Sequence, residues 1–179
     1  MFARTKRLTL RPAWPEDAPA LAAAIGHETV IRNLARVPLP YTLADAEAFV
    51  AQPRALDEAV FLIVAHDGTP QVVGGIGLHA EEDGMQLGYW LTPGAWGRGY
   101  ATEAGRAVIA MARHALPLRR IGAWHFVDNP ASGRVLRKLG FGPTGRTFSR
   151  PSIGREEQAS ALEYDLDLDD DRAPMPIAA

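Results

Sequence analysis

The stretch that decides the fold is Trp90-Leu91-Thr92-Pro93-Gly94-Ala95-Trp96-Gly97-Arg98-Gly99-Tyr100-Ala101-Thr102-Glu103-Ala104. It begins as a strand that ends at Pro93, and two spaced glycines then lead into a helix of small residues. Gly97 and Gly99 lack Cβ atoms, so a ligand can touch the backbone there. The first turn of the helix has N–H groups without intrahelical partners, which favour an anion. A plain strand-to-helix turn has the same glycine spacing, so the motif needs support from elsewhere.

A second helix start supplies that support. The chain continues as Asp128-Asn129-Pro130-Ala131-Ser132-Gly133-Arg134-Val135-Leu136-Arg137-Lys138-Leu139-Gly140-Phe141. Asn129 is placed to cap the helix, Pro130 suits its first position and Gly140 suits its end. Two ligand-ready helix starts on one sheet indicate a cleft.

These segments resemble the GNAT superfamily of acyl-CoA-dependent N-acetyltransferases, and in particular the branch of bacterial ribosomal-protein N-terminal (alanine) acetyltransferases. The resemblance covers residues 7 to about 168 and also rests on Gly88-Tyr89-Trp90-Leu91 and the opening Arg7-Leu8-Thr9-Leu10-Arg11-Pro12. It implies one α+β domain over residues 1–168, with a mostly antiparallel, splayed central sheet and helices on both faces. It also implies acetyl-CoA as cosubstrate and a primary amine, a protein N-terminus or a small amine, as acceptor.

Composition narrows the functional classes. The 179 residues carry a net charge of −2, so no basic field indicates nucleic acid or an anionic membrane as partner. No apolar run approaches the ~20 residues of a membrane span, and a cytoplasmic monomer or homodimer is the default. The absence of cysteine excludes an acyl-cysteine intermediate, so transfer would be direct. No histidine pair has ligand spacing, so we predict no metal.

Hydrophobic patterning predicts alternating strands and helices. The predicted strands are residues 7–11, 60–65, 72–79, 85–91, 121–127, 144–150 and 161–168. The predicted helices are residues 15–25, 46–51 behind a capping box at Thr42, a long helix after Thr102, and 132–139. Residues 169–179 are predicted to be a disordered tail.

The resemblance assigns the cofactor residues. Backbone N–H groups from Gly97 through Arg98, Gly99, Tyr100 and Ala101 to Thr102 would hold the CoA pyrophosphate, and the Thr102 hydroxyl would add a contact. Trp96 replaces the usual Arg or Gln of the superfamily, and either packs under the loop or touches the ligand. Arg98 either pairs with a CoA phosphate or is solvated. Backbone groups near Leu91 and Thr92 would pair with the pantetheine arm, as an added strand does. Asn129 would bond the same arm, cap its helix, or do both.

Proton transfer requires further side chains, because an attacking alkylamine is mostly ammonium at pH 7. His79, at the end of its predicted strand, is the first candidate base, with a turn-flanking role as the alternative. His125 is a weaker candidate whose strand phase leaves its face open. Many GNAT enzymes protonate the leaving thiolate with a tyrosine at the position of Leu136. Ser132 and Tyr164 are the substitute candidates, with a helix-start contact as the alternative for Ser132 and an acceptor-site wall for Tyr164.

The acceptor would be recognised by two segments without acidic clusters. Residues 27–41 contribute Asn33, Arg36 and Tyr41, and residues 147–155 form the second segment. The lack of carboxylates disfavours polyamine and aminoglycoside acceptors. Two other classes compete with the enzyme: a dinucleotide-binding domain, which lacks its third glycine and its acidic residue here, and a non-catalytic acyl-CoA sensor.

Overall fold

The computed structural model of the protein describes residues 2–53, 59–155 and 157–169. The strands are β1 (Ala3–Arg4), β2 (Leu8–Arg11), β3 (Ala59–Ala65), β4 (Gln71–Glu81), β5 (Gly84–Leu91), β6 (Arg120–Phe126), β7 (Gly142–Arg150) and β8 (Ala159–Asp167). The helices are α1 (Ala18–Ile25), α2 (Glu28–Ile31), α3 (Leu43–Ala51), α4 (Tyr100–Ala115) and α5 (Pro130–Lys138). Single 3-10 turns at Pro15–Asp17 and Pro93–Ala95 precede α1 and α4.

The strands form one sheet that opens in the middle. Their order is β1-β2-β3-β4-β5-β6-β8-β7, and neighbours are antiparallel except β5 and β6. The parallel pair is joined at Gln86 and Gly122 only, near the starts of both strands. The carboxyl-terminal halves of β5 and β6 therefore diverge and leave a gap, which confirms the predicted splayed, mostly antiparallel sheet.

Helices cover both faces of this sheet, as predicted. One apolar cluster joins α4 and α5 to the sheet through Val108, Leu136 and Leu78, each 1% exposed or less. The other joins α1, α2 and α3 to the opposite face through Leu21, Val30 and Leu62 and packs against Trp90. We call these the α4/α5 face and the α1–α3 face.

Local sequence signals predicted the ends of most helices and strands to within a few residues of the observed ends. The Thr42 capping box is present: the Thr42 hydroxyl accepts from the Asp45 N–H at 3.3 Å, and the Asp45 carboxylate accepts from the Thr42 N–H at 2.8 Å. Helix α4 begins at Tyr100, before the predicted start, because Gly99 takes the left-handed conformation of its N-cap. Strand β4 runs on to Glu81, so His79 lies inside the strand rather than at its end.

The residue that follows the carboxyl-terminal strand is held by burial and by a backbone hydrogen bond. Leu168 is fully buried, and its N–H donates to the Arg119 carbonyl at 2.8 Å. The predicted tail lies outside the described residues from residue 170 onward. Within the described ranges, no helix is long and apolar enough to cross a membrane, and no group of three or more histidines and carboxylates is arranged to hold a metal ion.

Candidate active site

The glycine loop before α4 has a backbone that requires glycine. Gly97 and Gly99 have φ of +73° and +79°, in the left-handed region that side chains disfavour. A Cβ atom built at Gly97 would meet nothing within 4 Å, so the space over the loop is open. Glu103 makes the first intrahelical bond, to the Gly99 carbonyl at 3.0 Å. The N–H groups of residues 100–102 therefore lack intrahelical partners and can donate hydrogen bonds to an anion.

Side chains around the loop hold it in place. Trp96 is 49% exposed, and its indole N–H donates to the Leu91 carbonyl at 2.8 Å, so it does not pack beneath the loop. Arg98 is 45% exposed and pairs with Asp67 at 3.1 Å, so it is not simply solvated, and its contact with a CoA phosphate stays a prediction. The buried Tyr100 hydroxyl donates to the same carboxylate at 2.7 Å, and this hydrogen bond lowers the pKa of Asp67.

A salt bridge between Arg7, near the amino terminus, and Glu103 also holds the loop in place. The Glu103 carboxylate accepts from the Thr5 hydroxyl at 2.6 Å and from Arg7 Nε at 2.8 Å, and Arg7 Nη1 donates to the Arg98 carbonyl at 2.9 Å. Burial alone would raise the pKa of Glu103, but these hydrogen bonds outweigh it and hold the pKa below its ordinary value. The sequence reasoning missed this contact, although Arg7 and Glu103 both belong to the motifs it used.

An open cleft begins at the loop and is lined by basic residues. Its volume is about 910 Å³, and its walls include Gly99 and Thr102. The basic side chains on the walls are Lys6, Arg7, Arg106 and Lys138, with Glu103 as the acidic one. Lys6 and Lys138 are the only lysines of the chain. No sequence pattern links these residues, because the fold brings them together from three elements, yet their charge suits a phosphorylated ligand.

At the strand edge beside the gap, fewer backbone groups face a ligand than the sequence predicted. The Thr92 N–H donates to the Val73 carbonyl at 2.9 Å and so faces β4, not the ligand. The Leu91 carbonyl accepts from Trp96. Because successive residues of a strand alternate, the Leu91 N–H points to the open edge beside β6. Leu91, not Thr92, therefore offers a donor to an added strand.

The second helix start is capped as predicted and carries an additional tyrosine. Asn129 Oδ1 accepts from the Ser132 N–H at 3.3 Å. The Ser132 hydroxyl lies 2.7 Å from the hydroxyl of Tyr89, which also donates to the Ser132 carbonyl at 3.0 Å. Burial raises the pKa of Tyr89 well above its ordinary value, more than its hydrogen bond to Ser132 lowers it. Tyr89 stands in the quoted Gly88–Leu91 motif, but only the packing of β5 against α5 shows its role.

His125 and Tyr164 lie on the α4/α5 face, in the core. His125 is 5% exposed, with Nδ1 2.7 Å from the Phe126 carbonyl and Nε2 3.5 Å from the Tyr164 hydroxyl. That hydroxyl also accepts from Arg137 at 3.2 Å. Tyr164 pairs with Ala123 across the strands, so it faces α5 and is not an acceptor-site wall. Leu136 is a core residue, 1% exposed.

His79 lies on the α1–α3 face, away from Ser132. It pairs with Gln86 across the strands and packs beside Gly88, where a built Cβ would be 3.7 Å from His79 Nε2. Its side chain is half-buried, and the adjacent Gln86 Oε1 is buried without a hydrogen-bond partner in the described structure. The candidate base and the candidate proton donor thus lie on opposite faces of the sheet, with the β5–β6 gap between these faces.

The two segments singled out for the acceptor lie side by side on the α1–α3 face. The hydroxyl of Ser152 donates to the Leu34 carbonyl at 2.6 Å, and the Ile153 N–H donates to the Ala35 carbonyl at 3.0 Å. Arg155 Nε donates to the Arg32 carbonyl at 2.6 Å. We call residues 32–36 and 152–155 the acceptor wall. Asn33 and Tyr41 belong to the same segment but not to these contacts: Asn33 bonds the Thr29 carbonyl, and Tyr41 packs beside the α1–α3 cluster.

Known proteins share this architecture. Residues 7–142 match the family model of the acetyltransferase (GNAT) domain. The chain is 31% identical over 149 residues to the uncharacterized N-acetyltransferase YoaA of Bacillus subtilis, covering 79% of this chain and 82% of YoaA. The structure superposes on RimL, a ribosomal L7/L12 alpha-N-protein acetyltransferase in complex with coenzyme A, with TM-score 0.79 at 19% identity, over 96% of this chain and 100% of RimL.

A second solved structure adds the acetylated cofactor. The microcin C7 self-immunity acetyltransferase MccE, in complex with acetyl-CoA and AMP, superposes with TM-score 0.77 at 18% identity, over 91% of this chain and 93% of MccE. At such identity these two structures show the fold, while the family match and the YoaA relationship cover most of this chain. The antiparallel strands also exclude the doubly wound parallel sheet of a dinucleotide-binding domain. The chain belongs to the GNAT family of acetyltransferases, which transfer an acetyl group from acetyl-CoA.

Proposed function

We propose that this chain acetylates a primary amine, either a protein N-terminus or a small amine, by direct transfer from acetyl-CoA in a ternary complex. The observation that carries the proposal is the β5–β6 gap, which joins two chemically different faces. The glycine loop and the Ser132–Tyr89 pair border it on the α4/α5 face, and His79 and the acceptor wall lie on the α1–α3 face. A cosubstrate and an amine can therefore meet at the gap from opposite sides.

The cofactor side would be held mainly by backbone groups. The N–H groups of residues 97–102 would bind the pyrophosphate, and the Leu91 N–H would bond the pantetheine arm. Asn129 uses Oδ1 to cap α5, which leaves its amide N–H₂ for the same arm. A main-chain N–H at the splayed edge would also polarise the thioester carbonyl, an effect worth about 3 kcal/mol in other acyl-transfer enzymes.

His79 would accept the proton that the amine must lose. An ammonium group has no lone pair for attack, and imidazole titrates near neutral pH. The half-buried position on the α1–α3 face puts the ring on the side from which the amine would arrive.

Ser132 would return a proton to the leaving thiolate. Its hydroxyl lies at the amino end of α5, where the positive end of the helix dipole favours the developing anion. Tyr89 would position this hydroxyl, which it contacts at 2.7 Å. Tyr164, which is buried against His125 and Arg137, would support the Ser132–Tyr89 pair from the core of the α4/α5 face.

The named activity of RimL, acetylation of a ribosomal protein at its alpha-amino group, supports a protein N-terminus as one acceptor class. Thiol release from acetyl-CoA across peptides and small amines, with mass spectrometry of the acceptor, tests the proposal. We expect release that depends on the amine and an acceptor heavier by one acetyl group. Tight acetyl-CoA binding without release for any amine would instead support an acyl-CoA sensor.

A further inference from the structure

The acceptor wall and the residues that border it carry more arginines than carboxylates. Asp128, directly before the Asn129 cap, pairs with Arg32 at 3.3 Å and with Arg155 at 2.9 Å. At the end of β4, Glu81 pairs with Arg36 at 3.4 Å and closely with Arg150. Four guanidinium groups thus share two carboxylates.

The two arginines on each carboxylate are not equivalent. Arg155 and Arg150 are 13% and 24% exposed, and both lie flat on aromatic rings: Arg155 is 4.3 Å from the Phe126 ring centre and Arg150 is 4.7 Å from that of Trp124. These inner arginines have fixed positions and neutralise the carboxylates. The outer arginines, Arg32 and Arg36, are 52% and 74% exposed and make only the longer contacts. Their charge is available to a ligand.

Both outer arginines lie on the acceptor side of the gap. Trp124 and Phe126 are two residues apart on β6 and so project from the same face, the one opposite His125. On the same face, Glu163 lies across from Trp124 and is itself paired with Arg146 at 3.3 Å, while Glu28, Glu82 and Asp83 are exposed. Water and salt screen such charges far more than those of a docked ligand.

We infer that Arg32 and Arg36 recognise a carboxylate that the acceptor carries close to its reacting amine. This inference rests on the proposed acetylation of an amine and narrows the acceptor to an acidic molecule. Since the whole chain carries a net charge of −2, the preference is a property of this wall and not of the overall field. A free amino acid or short acidic peptide and the acidic N-terminus of a protein share the required chemistry.

A matched acceptor panel tests the inference with the 179-residue protein. Peptides with an N-terminal alanine followed by glutamates, glutamines or lysines differ only in charge, and alanine, aspartate and glutamate serve as free amino acids. We expect kcat/KM, measured by thiol release, to be highest for the glutamate peptide, lower for the glutamine peptide and lowest for the lysine peptide. Efficient use of the free amino acids would identify a small acceptor, and use of peptides alone would identify a polypeptide N-terminus.

Substitution of the outer arginines separates recognition from chemistry. Arg32→Gln and Arg36→Gln should each lower the ratio of kcat/KM for the glutamate over the glutamine peptide by about fivefold, mainly through KM, as expected for an exposed ion pair. Arg119→Gln, on a residue 90% exposed beside Asp169, is the control and should keep the ratio. Arg36→Glu should shift the preference toward the lysine peptide.

The outcomes distinguish this inference from the proposed function. Acetylation of all three peptides at equal rates, or an unchanged ratio in both glutamine variants, would overturn the acidic acceptor while leaving the acetyltransferase proposal intact. Failure to acetylate any of these acceptors while other small amines are acetylated would overturn the inference alone, and the absence of thiol release with every amine would overturn both.

Discussion

The two sides of the β5–β6 gap are built by different means. On the proposed cofactor side, the groups that would bind acetyl-CoA are main-chain N–H donors of the glycine loop and Leu91 together with the Asn129 amide, and side chains such as Trp96 and Arg7 hold the loop in place. On the proposed acceptor side, the groups that would recognise the amine are side chains far apart in the chain, such as Arg36 and Arg150. Under this proposal, the first side can be common to a large family while the second sets what a particular member acetylates.

The sharpest test of the cofactor side is Gly99→Glu. A side chain at φ +79° is strained, and its Cβ would lie 3.6 Å from Arg7 Nη2 in the basic cleft, where the added carboxylate would repel a phosphate. We expect acetyl-CoA binding to fall by about 100-fold or more, since strain and charge repulsion add. Gly142→Glu, at an open strand position without positive φ, is the control. A folded Gly99→Glu protein with unchanged affinity would remove the phosphate-loop assignment.

On the acceptor side the largest effect should come from His79→Ala. Turnover should drop by about 10² to 10⁴, as for other general bases, and the pH profile of the rate should change. His114→Ala, on the exposed end of α4, controls for removal of an imidazole. Full activity with the same pH profile would return His79 to a packing residue beside Gly88.

Ser132→Ala should lower kcat by about 100-fold, at the low end of the range for acid–base groups, because water can replace its proton in part. Tyr89→Phe should have a smaller effect, because Tyr89 only orients the serine hydroxyl. Ser160→Ala, at an exposed position of β8, is the control. If both variants lose stability but keep kcat, the pair caps α5 and takes no part in the reaction.

The difference between the sides also determines what the sequence could reveal. Backbone geometry depends on local sequence patterns, so the turns at Gly97 and Gly99 and the Asn129 cap of α5 were predicted directly. Contacts between residues that the sheet brings together have no such local pattern. The Arg7–Glu103 salt bridge, the Tyr89–Ser132 pair and the shared carboxylates Glu81 and Asp128 join positions separated by tens of residues.

Errors at single residues have the same origin. The predicted strand ending at His79 runs on to Glu81 because the hairpin with β5 extends the pairing. Tyr164 was predicted to be a proton donor or an acceptor-site wall, and its register against Ala123 turns it to α5, which conflicts with the second of these roles. Thr92 was assigned to the ligand, but its N–H completes the pairing with β4. Each depends on strand register, which one sequence does not determine.

A smaller effect should follow from Glu103→Gln, which removes the charge that fixes the loop. The pKa of Glu103 is held below its ordinary value, so its carboxylate stabilises the fold at neutral pH, and that stability is lost as the pH falls through the folded-state value. We expect a loss of about 1–2 kcal/mol of unfolding free energy at pH 7, shrinking below pH 4.5. Urea unfolding at several pH values measures it, with exposed Glu47→Gln as control. A difference independent of pH would show that charge is not the cause.

The central claim is that cofactor binding and acceptor chemistry reside on separate sides of the gap. Calorimetric titration of acetyl-CoA into the wild-type protein, His79→Ala and the Arg32→Gln/Arg36→Gln double variant tests it most directly. We predict one binding site and dissociation constants that agree within about twofold in all three proteins, since no contact with the cofactor is lost. A tenfold loss of acetyl-CoA affinity in either variant, in a folded protein, would contradict the claim.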